Sequence, residues 1–154
     1  MSLTRLNAVS YLNTKPLVYA LEEHLLVHNF QLIYDVPSIC AQQIKKGNAD
    51  AGVIPSIEYA RSDAPYAIVP DIAIASKGPV NSIFLFHTVP VDHIKTVALD
   101  TSSRTSVALT RILLAEVWKI EPELVVQAAS PHGVAEGFDA ALLIGDPALR
   151  VDRS

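Results

Sequence analysis

Short apolar runs alternate with stretches of helical period along most of the chain, the pattern of a parallel or mixed sheet flanked by helices. The runs predict strands at 6–10, 31–36, 51–54, 72–75, 82–86, 96–99, 124–127 and 140–144. The periodic stretches predict helices at 16–28, 37–46, 56–61 and 104–119. The last helix has the plainest signal, because Leu109, Ile112, Leu113 and Val117 recur at helical spacing as an apolar stripe. The second helix ends on Lys45, Lys46 and Gly47, cations in the last turn followed by a glycine stop. In the first, Pro16 suits the opening helical position and pushes its predecessor out of the α region. Lys15 is therefore expected to cap a helix that begins at Pro16. The pattern breaks at His87-Thr88-Val89-Pro90-Val91-Asp92-His93, which places a boundary between residues 1–86 and 87–154. The run before the break, from Asn81 to Phe86, is expected to cross between two lobes.

Polar clusters sit where predicted strands pass into helices, the place where open α/β sheets hold ligands. In Ser10-Tyr11-Leu12-Asn13-Thr14-Lys15-Pro16, Asn13 and Thr14 lie on the loop. Asn13 either caps its own turn or faces a cleft. The cluster Asp100-Thr101-Ser102-Ser103-Arg104-Thr105-Ser106 precedes the long helix, where free backbone N–H groups and hydroxyls make an anion site. Arg104 opposes the helix dipole there and needs a partner, either a bound carboxylate or Asp100 four residues earlier. Ser56 is expected to cap the short helix at 56–61, and it follows a strand end as Asn13 does. Ser82 opens the proposed crossing strand, where the bland alternative is a surface serine on an edge. Asp146 before Pro147 reads as a cap first and a ligand-positioning group second.

Composition narrows the chemistry. Of 154 residues half are apolar and 18% charged, which suits a well-buried α/β domain and not a disordered chain. A net charge of −4 provides no basic field for nucleic acid. The single cysteine, Cys40, excludes an internal disulfide and a thiolate zinc cage, and reads as a small buried hydrophobe. No signal-peptide layout and no membrane-length apolar run is visible, so a cytoplasmic, membrane-free protein is the expectation. His24 and His28 stand four apart without the intervening glutamate of a zinc motif, and His87, His93 and His132 form no constellation. No Gly-rich phosphate loop or nucleophile elbow is present, which argues against phosphoryl and acyl transfer.

The run Val9-Ser10-Tyr11-Leu12-Asn13-Thr14-Lys15-Pro16-Leu17 resembles the N-terminal signature of the chorismate dehydratases of the futalosine route to menaquinone. Further segments agree in order: Asp35-Val36-Pro37-Ser38, Ile54-Pro55-Ser56-Ile57-Glu58-Tyr59, Ile72-Ala73-Ile74-Ala75-Ser76, the run 96–109, and the run 140–149 around Gly145-Asp146-Pro147. That family is two-lobed and typically nearly twice this length. The resemblance therefore implies an α/β, bilobed fold like type II periplasmic binding proteins, incomplete at the C-terminus. Residues 1–86 would form lobe 1 without its return, and 87–154 a partial lobe 2. Exposed edges and apolar faces would then favour self-association.

The implied reaction is that of a hydro-lyase, loss of water from chorismate to give 3-[(1-carboxyvinyl)oxy]benzoate. On that reading Ser102, Ser103, Arg104 and Thr105 hold one carboxylate, while Asn13 and Ser82 orient or protonate the leaving hydroxyl. Thr14 and Ser56 complete the wall, with Asp146 as a helper. A substrate carboxylate removes the ring proton, and aromatisation makes positioning sufficient without a metal or organic cofactor. The rivals are a non-catalytic small-carboxylate binding protein of the same fold and a dihydroxynaphthoate synthase of the same pathway.

Overall fold

A computed structural model describes residues 3–63, 65–127 and 137–151. Its elements run β1 (Thr4–Val9), a 3₁₀ turn (Leu12–Thr14), α1 (Lys15–Glu22), β2 (Phe30–Asp35), α2 (Pro37–Lys45), β3 (Ala51–Gly52) and α3 (Ser56–Arg61). There follow β4 (Ile83–His87), a 3₁₀ turn (Val91–His93), β5 (Thr96–Leu99), α4 (Arg104–Ile112), a π-helical turn (Leu113–Val117), β6 (Glu123–Val126), β7 (Ala140–Ile144) and α5 (Asp146–Arg150). The fold is mixed α/β, as the alternation predicts. The chain divides into two units, one ending at Ala75 and the next beginning at Ser76. The boundary read from the sequence, after Phe86, falls inside the second unit's first strand, β4. That strand pairs antiparallel with β7 inside the second unit, Ile83 opposite Ile144 and His87 opposite Ala140.

The first unit has a parallel sheet in the order β2-β1-β3. Val9 stands opposite Asp35 and Asn7 opposite Gly52, so the carboxyl ends of all three strands share one edge. β3 is short, and Gly52 is required in it. A Cβ there would stand 2.8 Å from the Asn7 carbonyl oxygen and 3.1 Å from Ile44 Cδ1, closer than side chains pack. Lys15 lies inside α1 with α backbone angles (φ −48°, ψ −46°) and does not cap it. The preceding 3₁₀ turn already aligns the chain, and Thr14 takes the capping position.

α1 also stops short of His28. His24 adopts a left-handed φ of 53°, the Leu25 N–H bonds the Ala20 carbonyl at 2.9 Å and the His24 N–H that of Leu21 at 3.3 Å. This is a Schellman stop with histidine where glycine is usual. His28 Nε2 then bonds the Leu21 carbonyl at 3.0 Å and Nδ1 accepts the Phe30 N–H at 3.1 Å, so the ring stitches the helix end to β2 as one neutral tautomer. Gly47 (φ 71°) makes the same kind of stop for α2, as its sequence predicts.

The second unit has the sheet β4-β7-β5-β6, parallel except for β4. β7 is buried along its whole length, and alternate residues feed two cores. Val97, Leu99, Leu142 and Ile144 pack with Leu114 on one face. Ala98, Ala141 and Leu143 pack with Ala148, Phe84 and Phe86 on the other. Asp139 locks the strand starts together. Its Oδ2 accepts the Lys95 and Thr96 N–H groups at 2.8 and 2.9 Å and the Thr96 hydroxyl at 3.1 Å. These donors, the Lys95 amide foremost, hold its carboxyl below the ordinary range.

Two further predicted features change. The run 72–75 is not a strand, and no helix or strand occurs among the described residues between Arg61 and Ile83. Ile72 and Ile74 are exposed there. The long helix keeps its place, but its stripe does not face the core: Leu109, Ile112 and Val117 are 52%, 54% and 62% exposed. The buried face carries Ser106, Thr110 and Leu114, and a π turn, with the Trp118 N–H on the Leu113 carbonyl at 2.9 Å, replaces its end.

Candidate functional site

In the first unit the predicted polar residues gather at the edge where β1, β2 and β3 end. Asn13 is exposed on the 3₁₀ turn. Beside it Thr14 is 1% exposed and its Oγ1 has no hydrogen-bond partner among the described residues. A buried hydroxyl left without a partner costs stability. Lys15 does not serve this edge, since its Nζ pairs with Glu22 at 2.6 Å along α1. Glu22 also accepts from the Tyr34 hydroxyl. Lys15 and then Tyr34 hold the Glu22 carboxyl low, while desolvation and Glu22 push the Tyr34 phenol up to about 12. Ser56 is exposed at the first position of α3 and does not cap it; Pro55 takes that place, with no side-chain bond.

Behind this edge lies a polar group that the sequence reading missed. Asn7, fully buried in β1, donates from Nδ2 to Asp35 Oδ2 at 2.9 Å and accepts the Cys40 thiol on Oδ1 at 3.1 Å. Burial, then the charge of Asp35, pushes the Cys40 thiol up to about 11, so it remains an S–H donor at neutral pH. The Asp35 carbonyl accepts the Ser10 N–H at 3.0 Å, which ties β2 to the first residue of the turn. A lone Asn in an apolar strand was the only signal for it.

The second unit gathers the other candidates at the carboxyl ends of β5 and β7, beside the start of antiparallel β4. The Gly145 N–H donates to the Ser82 carbonyl at 2.8 Å, which joins the residue before β4 to the residue before α5. Asp100 Oδ1 accepts the Ser102 N–H at 2.9 Å and shapes the turn into α4. Ser103 is the helix cap, its Oγ accepting the Ser106 N–H at 3.3 Å and lying 2.9 Å from the Ser106 hydroxyl. Ser102, Arg104 and Thr105 are half-buried at this helix start. Asp146 does not cap α5; Gly145 does, at φ 65° and ψ −144°, a conformation for glycine. The exposed Asp146 carboxylate instead lies 3.8 Å from Arg150.

No group of three or more His, Cys, Asp or Glu able to hold a metal occurs among the described residues. The rings of His24 and His28 stack at 6.0 Å, and His28 spends both nitrogens on backbone. His132 lies outside the described residues. A hollow of about 500 Å³ lined by Val89, Asp92, His93, Ile94, Lys95 and Asp139 opens near the starts of β5 and β7, away from the second unit's own cluster at their carboxyl ends. Among the described residues no helix is long and apolar enough to cross a membrane.

A family described as menaquinone biosynthesis matches residues 4–154. The chain belongs to that family. Within its reach, the chain is 30% identical over 140 residues to a chorismate dehydratase from Thermus thermophilus, covering 91% of this chain and 49% of that protein. It thus spans about half the length of this curated relative. The fold resembles that of protein AF1704 from Archaeoglobus fulgidus, with a TM-score of 0.66 at 20% identity, over 91% of this chain and 53% of that one. The two strand-end clusters are rich in hydroxyl groups, with the Asn13 amide in one and the Arg104 guanidinium in the other.

Proposed function

We propose that this chain carries the chemistry of a chorismate dehydratase, a hydro-lyase removing water from chorismate to give 3-[(1-carboxyvinyl)oxy]benzoate. The observation that carries the reading is the 30% identity to a chorismate dehydratase along 91% of the chain. The helix start formed by Ser102, Arg104 and Thr105 grips one carboxylate, using backbone dipoles, hydroxyls and a guanidinium. Ser103 contributes by holding that helix start in shape. Asn13 donates to the departing hydroxyl and Ser82 assists, so that charge developing on oxygen is met by a fixed donor. Thr14 turns its unpartnered hydroxyl to the ligand, Ser56 lines the first unit's edge, and Asp146 adjusts the second.

The atoms balance without an outside reagent. A ring C–H electron pair forms the new π bond, the C–O bond breaks, and proton and hydroxide leave as water. A substrate carboxylate takes the proton, while Asp100, the carboxylate of the second cluster, is engaged by the Ser102 N–H. The protein acts in the cytoplasm on a small molecule.

The test is incubation of the chain with chorismate, followed by chromatography. The expected result is loss of chorismate and appearance of the hydroxyl-free aromatic dicarboxylate, with Asn13→Ala slowing turnover far more than it weakens binding. Chorismate bound and recovered unchanged would make this a binding protein of the same fold. Absence of both binding and conversion would overturn the reading.

A further inference from the structure

We propose that Asp35 is a ligand-binding residue of the first unit's edge, accepting the hydrogen of the substrate's ring hydroxyl. The inference rests on the chorismate reading and adds to it the group that distinguishes a hydroxylated ring from one that has lost its hydroxyl. Asp35 closes β2, on the same edge as the turn that carries Asn13 and Thr14. Its side chain is half-buried, and Oδ2 is fixed by Asn7 at 2.9 Å. The other oxygen, Oδ1, has no hydrogen-bond partner among the described residues. Arg5 and Lys15, the cations nearest in sequence to this turn, are committed elsewhere, to Asp50 and Glu22.

The support beneath Asp35 is what a mere surface acid lacks. A fully buried Asn in the central strand of a sheet is costly unless both ends of its amide are bonded. Here both are, one to Asp35 and one to the Cys40 thiol. An apolar pair of similar volume would fill that space with no such requirement. What the polar arrangement adds is a carboxylate held in one rotamer at a ligand-facing edge, which is how sites fix a hydrogen-bond acceptor. A hydroxyl that gives its hydrogen to Asp35 keeps its lone pairs for a donor on the same edge, the role assigned to the Asn13 amide. The product has no ring hydroxyl, so it gains nothing from Asp35 and meets only its negative charge.

The test is isothermal titration of the chain with two non-reacting probes. One is a ring-saturated chorismate analogue that keeps the hydroxyl and both carboxylates; the other is its deoxy counterpart. The parent chain is expected to prefer the hydroxylated probe. Asp35→Asn is expected to weaken that probe roughly 10- to 100-fold and change the deoxy probe by less than about twofold, the range of a hydrogen bond to a charged group. Equal loss for both probes, or no loss, would overturn the role of Asp35 and leave the chorismate reading standing. A parent chain that binds neither probe would overturn both. If circular dichroism shows Asp35→Asn unfolded, Asp35→Glu moves the charge outward by one methylene, and the same two-probe comparison decides.

Discussion

Asp50 is engaged on both of its carboxylate oxygens. It receives three hydrogen bonds from one residue: the Arg5 N–H and Nε–H on Oδ2 at 2.8 and 3.0 Å, and Nη2 on Oδ1 at 2.7 Å. The Arg5 guanidinium, then the Arg5 amide, depresses the Asp50 carboxyl to about 2. In an unfolded chain the same group titrates near about 3.9. Its contribution to stability is therefore complete above the unfolded value and disappears as pH falls through the folded one. Urea unfolding at pH 6, 4 and 2 should show the midpoint falling mainly between the last two. Asp50→Asn should lower it at pH 6 and flatten the fall below 4. Because the pair is partly exposed, high salt should shrink the difference.

At the level of elements, what could be read was whatever a residue type announces by itself. Gly47 announces the end of α2, and Pro37 announces its start. The end of α1 was hidden because a histidine occupies the left-handed position that glycine would have flagged. Residues 72–75 looked like a strand because apolar runs do, but a strand exists only with a partner, and none pairs here. The long helix misled for another reason. It bears apolar residues on two sides, and period alone cannot say which side meets the sheet. A paired substitution checks the assignment. Leu114→Ala, in the core beside Leu99 and Leu142, should cost about 2–5 kcal/mol. Leu109→Ala, half exposed on the other face, should stay within about 0.5 kcal/mol. Comparable losses in thermal or urea unfolding would reverse the orientation of α4.

Across the whole molecule, the strand-end clusters were legible because a polar turn between an apolar run and a helix needs no tertiary information. Asn7 and Asp35 were not, since their meeting depends on the register of β1 against β2. The surface also keeps large apolar residues in groups: Leu25, Leu26 and Val27 after α1, Ile68 and Val69 in the long connection, and Leu109, Ile112 and Val117 along α4 and the π turn that follows it. Such groups favour association of copies. Sedimentation of the chain should show species heavier than 16.7 kDa that dissociate on dilution. Replacing Leu109, Ile112 and Val117 by polar residues should shift the balance toward the monomer. A purely monomeric parent chain at high concentration would contradict this.

The antiparallel pairing of β4 with β7 has a consequence in time. All three strands of the first sheet precede Val53, so that sheet can form while the rest of the chain is still being synthesised. β4 is made early but waits for β7, which arrives only after β5, α4 and β6. Until then its apolar residues Phe84, Leu85 and Phe86 have no neighbour on that side. The closing step of the second sheet is therefore its longest-range contact, and it belongs to the slow, aggregation-exposed phase of folding.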